Sequence, residues 1–129
     1  MRIYLIGHDV SSWRRRALTL LPKRDLEWAH GTPHVAGERD LEQMRGADVV
    51  LANLHPDDED IAGTAARIGT ALAMQKHTIV CGEHAHPALA WLVEMSHEFV
   101  PTLDEGIQRL ADHCAWRAEV DAIWPPNTL

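Results

Sequence analysis

An acidic segment, Pro56-Asp57-Asp58-Glu59-Asp60, stands just before Gly63-Thr64 in the middle of the chain. Such a segment can be a solvated charge run, a metal site or a source of carboxylates that bind hydroxyl groups. It lacks the alternating ligands and the following glutamate of an EF-hand loop, which disfavours calcium. Asp60 is closest to the predicted helix start, so we expect its carboxylate to lie beside a sugar hydroxyl or a base edge.

Ser11 and Ser12 suggest a second kind of chemistry, because they precede a predicted helix and lie close to Gly7. Backbone N–H groups and the positive end of a helix dipole attract a phosphate or a carboxylate. The alternative is that the two serines only cap the helix. The chain has no glycine-rich phosphate-binding fingerprint that would decide between the two roles.

Metal and nucleophile chemistry has weak support in this sequence. Of the nine histidines, the best-placed lie in Cys81-Gly82-Glu83-His84-Ala85-His86. Structural zinc sites normally pair two such clusters, and no second cluster matches this one. The sequence has no serine nucleophile elbow, and neither cysteine has an evident partner base. We therefore expect no metal and no cofactor.

Apolar runs alternate with amphipathic segments along the chain, which predicts alternating strands and helices. The expected strands are 3–6, 26–30, 48–53, 78–81 and 97–100, and the expected helices are 13–21, 40–45, 62–75, 87–94 and one from about 102. This order predicts an α/β fold: a single-domain, doubly wound, mainly parallel five-stranded sheet with helices on both faces, of Rossmann or flavodoxin type. The domain should span residues 1–129, with an irregular tail from about residue 120.

Composition limits the partners that we expect. A formal net charge of −7 argues against broad attraction to nucleic acid, and no apolar run approaches the roughly 20 residues of a membrane span. Cys81 and Cys114 lie in apolar contexts, which predicts reduced thiols and a cytoplasmic protein. Trp116 falls opposite the apolar face of the last helix, which would suit a subunit contact.

Parallel sheets of this type bind ligands at the carboxyl ends of their strands, where the winding direction reverses. The predicted reversal lies between the first and third strands along the chain. Gly7 and Asn53 stand at the ends of those strands, so we expect both beside the ligand.

Several segments are generic alone but specific in their shared order and spacing. They are Ile3-Tyr4-Leu5-Ile6-Gly7, Asp40-Leu41 with Met44 and Ala47-Asp48-Val49-Val50, Leu51-Ala52-Asn53-Leu54, Gly63-Thr64-Ala65 with Ile68-Gly69, and Gln75-Lys76-His77-Thr78-Ile79-Val80. Together they resemble the nucleoside 2-deoxyribosyltransferase family and its nucleotide N-glycosidase relatives over most of the chain.

The resemblance implies transfer of a 2-deoxyribosyl group between nucleobases, or hydrolysis of the N-glycosidic bond when water is the acceptor. It implies that Tyr4 positions the reacting carboxylate, that Asp40 contacts the ligand, and that the protein is a homo-oligomer. The attacking glutamate of the family corresponds to Arg67, whose guanidinium has no lone pair to give. Glycosyl transfer through residue 67 is therefore excluded.

Several interpretations of Arg67 remain open. Loop carboxylates or Asp40 could support hydrolysis without a covalent intermediate, or Arg67 could bind a ligand anion in a module that has lost catalysis. The resemblance could also extend only to the fold. The simplest alternative for Arg67 is a helix surface residue paired with the acidic loop.

These observations predict a nucleoside- or nucleotide-binding protein that cleaves or transfers at the N-glycosidic bond of a deoxynucleoside or deoxynucleotide. The alternative is a non-catalytic nucleotide-binding or regulatory module of the same fold. The expected catalytic residues are Asp60, Asp40 and Tyr4, and the expected substrate-binding residues are Gly7, Ser11, Ser12, Asn53, Gly63, Thr64 and Arg67.

Overall fold

The computed structural model describes residues 1–7, 13–21, 27–30, 38–83 and 86–125. Strands and helices alternate along these segments. They are β1 (Arg2–Ile6), α1 (Trp13–Leu20), β2 (Glu27–His30), α2 (Glu38–Arg45), β3 (Val49–Leu54), α3 (Ile61–Ala73), β4 (His77–Gly82), α4 (Pro87–Met95), β5 (Glu98–Val100) and α5 (Leu103–Ile123).

The strands form one sheet in the order β2-β1-β3-β4-β5, and every neighbouring pair is parallel. The prediction of an α/β fold with a parallel sheet is confirmed. β1 pairs with β3 in the middle of the sheet, with Tyr4 opposite Val50. The connections that leave these two strands run to opposite sides, which opens a crevice at their carboxyl ends.

Apolar side chains form one core on each face of the sheet. Because side chains alternate along a strand, Tyr4 and Val50 face one core while Ile3 and Leu51 face the other. The first core also contains residues of α2, α3 and α4, and the second contains residues of α1 and α5. Burial of each such aliphatic side chain contributes roughly 1.5–3 kcal/mol to the free energy of folding.

The last helix is longer than the sequence analysis predicted. α5 has 21 residues and ends at Ile123, where the Trp124 backbone N–H donates to the Val120 carbonyl. The prediction of an irregular tail from about residue 120 is therefore wrong by about one turn. Pro125 disfavours helical backbone at the residue before it, but not further back, and the alanines Ala111, Ala115, Ala118 and Ala122 favour the helix up to Ile123.

Among the described residues, no helix combines the length and apolar character needed to cross a membrane.

Candidate active site

Tyr4 lies fully buried on the face of the sheet that packs against α2 and α3. Its Oη donates a hydrogen bond to Asp40 Oδ1 at 3.4 Å. Burial, reinforced by the charge of Asp40, raises the pKa of Tyr4 to about 12, although Arg67 opposes this shift. The phenol therefore keeps its proton at neutral pH and serves as a fixed donor to Asp40.

Arg67 extends from α3, and its guanidinium contacts two carboxylates. Nη2 lies 3.2 Å from Asp40 Oδ2, and Nη1 lies 3.8 Å from Asp60 Oδ2. The side chains of Arg67 and Asp40 are only 17% and 13% exposed. Arg67 thus pairs with the acidic loop, as its simplest interpretation held, but it is largely buried and also bridges to α2.

The acidic loop folds back onto the first turn of α3. Asp58 is buried, and its Oδ1 accepts the Asp60 backbone N–H at 2.8 Å while its Oδ2 accepts the Thr64 hydroxyl at 2.6 Å. Asp60 is the N-cap of α3, since its Oδ1 accepts the Gly63 backbone N–H at 3.1 Å. A Cβ at residue 63 would collide with the Asp60 carboxylate. The glycine that the sequence analysis singled out therefore leaves room for the Asp60 carboxylate in this cap.

The charges of this cluster decide what it can do. Asp40, Asp60 and Arg67 together carry one net negative charge, and the guanidinium already contacts both carboxylates. A phosphate bound by Arg67 would have to displace one of them and would add negative charge, so electrostatics disfavour that role. A sugar ring that develops positive charge, as in an oxocarbenium-like transition state, would instead be attracted.

Gly7 ends β1 at the crevice with a φ of +128°, a backbone conformation that favours glycine. A Cβ there would lie 2.5 Å from the Asn53 carbonyl oxygen, so the glycine also allows the end of β1 to approach β3. Arg14 of α1 donates to the Gly7 carbonyl oxygen, which places a cation at this end of the strand. The predicted anion-binding residues Ser11 and Ser12 lie outside the described residues.

Asn53 does not join the cluster around Arg67. It is buried, and its Oδ1 accepts a weak hydrogen bond from Cys81 Sγ at 3.6 Å. Cys81 belongs to the core that packs against α1 and α5, so Asn53 lies on the opposite face of the sheet from Tyr4. Tyr4 and Asn53 were both predicted as site residues, but the alternation of side chains along β3 places Asn53 on the other face of the sheet.

A separate pocket of about 310 Å³ opens beside Asn53 at the carboxyl ends of β3 and β4. Its polar lining includes His55, Glu83 and Arg16, and its apolar lining includes Trp13. Arg16 also forms an ion pair with Asp104 at 2.6 Å. This pocket therefore lies apart from the cluster of Tyr4, Asp40 and Arg67.

Two contributors to the site were not identified from the sequence. Asp58 was considered only as one member of the acidic segment, although it fixes both Asp60 and Thr64. The i, i+2 spacing of Asp58 and Asp60 is typical of a side chain that accepts a local backbone N–H, and it could have revealed this role. Arg14 was not among the predicted site residues. No local pattern indicates its contact with Gly7.

In the described part of the chain, no group of three His, Cys, Asp or Glu side chains is arranged to hold a metal ion. His84 of the candidate metal-binding segment lies outside that part.

Comparisons with known proteins give the family and the fold. Residues 17–114 match the family model for nucleoside 2-deoxyribosyltransferase. No curated protein sequence matches the chain significantly. Among solved structures, a 2-deoxyribosyltransferase from Bacillus psychrosaccharolyticus is similar with a TM-score of 0.59 at 17% identity, over 81% of this chain and 89% of that one. A CMP N-glycosidase from Clostridium botulinum is similar with a TM-score of 0.59 at 20% identity, over 85% of this chain and 98% of that one.

The two structural likenesses establish a shared fold, and the family-model match covers most of the chain. This protein therefore belongs to the nucleoside 2-deoxyribosyltransferase family.

Proposed function

We propose that this protein binds a nucleoside or nucleotide beside Arg67 and hydrolyses its N-glycosidic bond without a covalent bond to residue 67. The observation that carries the proposal is the position of the Asp40 carboxylate. It lies 3.4 Å from Tyr4 Oη and 3.2 Å from Arg67 Nη2. Membership of the family, and a CMP N-glycosidase among the structural neighbours, support this bond as the target.

Asp40 acts as the general base in this mechanism. It takes a proton from a water molecule whose oxygen attacks C1′ of the sugar, while the bond from C1′ to the base nitrogen breaks. The departing base receives a proton from solvent. Tyr4 and Arg67 occupy defined positions on the two oxygens of Asp40, which orients the carboxylate. The net negative charge of the cluster favours the positive charge that develops on the sugar.

Asp60 has a supporting role in this proposal. Its Oδ1 is committed to the cap of α3, and its Oδ2, on a side chain that is 31% exposed, can accept a hydrogen bond from a sugar hydroxyl. Gly63 and Thr64 contribute indirectly, because both fix the loop that carries Asp60. Ser11 and Ser12, which precede α1 in the sequence, remain the proposed residues for any phosphate of the ligand.

A binding module without catalysis is the second candidate. Arg67 forms ion pairs with both nearby carboxylates. This favours a binding module, because ion-paired side chains can orient a ligand without reacting with it. In either case we expect a small-molecule ligand, a cytoplasmic location and a homo-oligomer. Free Cys81 and Cys114, and the 55% exposure of Trp116, support the last two expectations.

Base release separates the two candidates. The protein is incubated with deoxynucleosides, deoxynucleoside 5′-monophosphates and CMP, each with and without a second free base, and products are separated by chromatography. We expect free base from at least one compound and no exchange with the second base, because residue 67 cannot hold the sugar covalently. Thermal unfolding with the same compounds measures binding.

A higher melting temperature without base release would support the binding module and contradict hydrolysis. Exchange between bases would contradict the proposed mechanism, because it requires a sugar retained on the protein. If none of these compounds releases base or shifts the melting temperature, both the hydrolase and the binding module are contradicted.

A further inference from the structure

Three imidazole rings meet at the opposite end of the sheet from the candidate active site. His77 begins β4, His97 directly precedes β5, and His113 lies on α5. The ring centroids of His77 and His113 are 4.0 Å apart with an interplanar angle of 6°, and those of His77 and His97 are 4.9 Å apart. We call these three residues the histidine cluster. It joins both strands to the helix.

His97 takes part in the backbone pairing that starts β5. Its Nδ1 accepts the Thr78 backbone N–H at 3.1 Å, and its own backbone N–H donates to the Thr78 carbonyl at 3.1 Å. A ring nitrogen accepts a hydrogen bond only while it carries no proton. Protonation of His97 at Nδ1 would therefore place two N–H groups against each other and break the contact with Thr78.

Nearby charged groups would stabilise only part of the positive charge that protonation adds to the histidine cluster. His77 Nε2 lies 2.9 Å from Glu98 Oε2, so this ring has a carboxylate partner. Arg109 shares the same carboxylate, with Nη1 3.7 Å from Oε1. His113 has His77 on its face, and the charges of Glu98 and Arg117 act on it. If His77 and His113 were both protonated, two positive rings would be stacked 4.0 Å apart and would repel each other.

Water can reach the histidine cluster. A pocket of about 390 Å³ is lined by His77 and His113, with Glu98, Arg109, Asp112 and Trp116 around them. Protons can therefore exchange with these rings without unfolding of the core.

We propose that the histidine cluster is an acid-sensitive latch, which holds β5 and α5 on the sheet when its rings are neutral and loosens them when the rings are protonated. The Thr78 contact requires an unprotonated Nδ1 on His97, and the stack of His77 and His113 is stable with at most one positive ring. In agreement, burial, reinforced by the charge of His77, lowers the pKa of both His97 and His113 from the usual 6.5.

The pH dependence follows from the direction of these shifts. A histidine whose pKa is lower in the folded state binds protons more tightly when unfolded, so folding loses stability as pH falls. The contribution is fully present above about pH 6.5, the pKa in the unfolded chain, and declines as pH falls below it. Glu98 moderates the loss, because its charge favours protonated rings.

The latch controls a helix that has little other support near its end. The buried residues of α5 are Gly106, Ile107 and Leu110, all in its first half. Trp116 contacts His113 at a ring-centroid distance of 5.6 Å, and Ile123 beyond it is 81% exposed. Loosening of His113 therefore frees the second half of α5 first.

Thermal unfolding between about pH 7.5 and pH 5.5 tests the latch, with H97N and H113Q beside the wild type. Asparagine keeps an acceptor oxygen for the Thr78 N–H but cannot be protonated in this range. We expect the wild-type Tm to fall by at least about 5 °C over this interval. We expect each variant to lose clearly less than that amount, because one of the titrating rings is gone.

Equal losses of Tm in the wild type and both variants would overturn the proposal, since the decline would then arise elsewhere. A titration of the wild-type histidine Cε1 protons by NMR remains informative if a variant does not fold. A midpoint for His97 below 6.5, with resonances of α5 shifting together with it, supports the latch. A midpoint at or above 6.5 overturns it.

Discussion

Replacement of Asp40 with asparagine is expected to lower base release by at least about 100-fold, the usual contribution of a positioned general base. The variant keeps an oxygen that can accept from Tyr4 or Arg67 but loses the lone-pair basicity of the carboxylate. Thermal unfolding with and without the ligand shows whether D40N still folds and binds. Initial rates by chromatography then measure the loss.

Asp60 supplies the matched control, because asparagine is as good an N-cap as aspartate. D60N should keep the bond to the Gly63 N–H and lose only the 3.8 Å contact with Arg67. We expect its rate to fall by less than about tenfold, in keeping with the modest energy of a partly exposed ion pair. A larger loss in D60N than in D40N would assign the general base to Asp60 instead.

Arg67→Glu is expected to change the reaction rather than remove it. The introduced carboxylate would stand at the position of the attacking glutamate in the family, with Tyr4 and Asp40 already beside it. It can attack C1′ and hold the sugar, so we expect exchange between two free bases, which the wild type should not show. Incubation of a deoxynucleoside with a second base, followed by chromatography, measures this exchange.

Arg67→Gln is the control for this substitution, because it removes the cation without adding a nucleophile. R67E should also be less stable than R67Q at about pH 8, since three carboxylates would share one partly buried cluster. Like charges raise the pKa of the introduced carboxylate, so R67E should regain stability relative to R67Q as pH falls towards about 5. A folded R67E that binds the ligand but exchanges no base would contradict the assignment of position 67.

The parallel α/β fold could be predicted because its determinants are local. Continuous apolar strands such as Val49–Leu54, separated by segments with helical periodicity, leave few other arrangements. The same holds for the cap of α3, where Asp60 and Gly63 have the spacing of an N-cap and its bonded N–H. The end of α5 was harder to predict, because helix propensity and the later prolines favour different boundaries.

The candidate site was less predictable, because it depends on which face of the sheet each side chain occupies. Tyr4, Asp40 and Arg67 come from three separate elements, and their grouping was implied by the family resemblance rather than by a local pattern. Asn53 has the expected place at a strand end but faces the other core. The histidine cluster depends on contacts between β4, β5 and α5 that are distant in sequence, so nine scattered histidines gave no sign of it.

The configuration at C1′ after reaction in water containing methanol tests the central claim most directly. Methanol traps the sugar as a stable methyl glycoside, whose anomeric form can be read by proton NMR. A single displacement by a solvent molecule activated by Asp40 inverts the configuration, so a β-nucleoside should yield the α-methyl glycoside. The β-methyl glycoside would show two displacements through a covalent intermediate and would contradict the account.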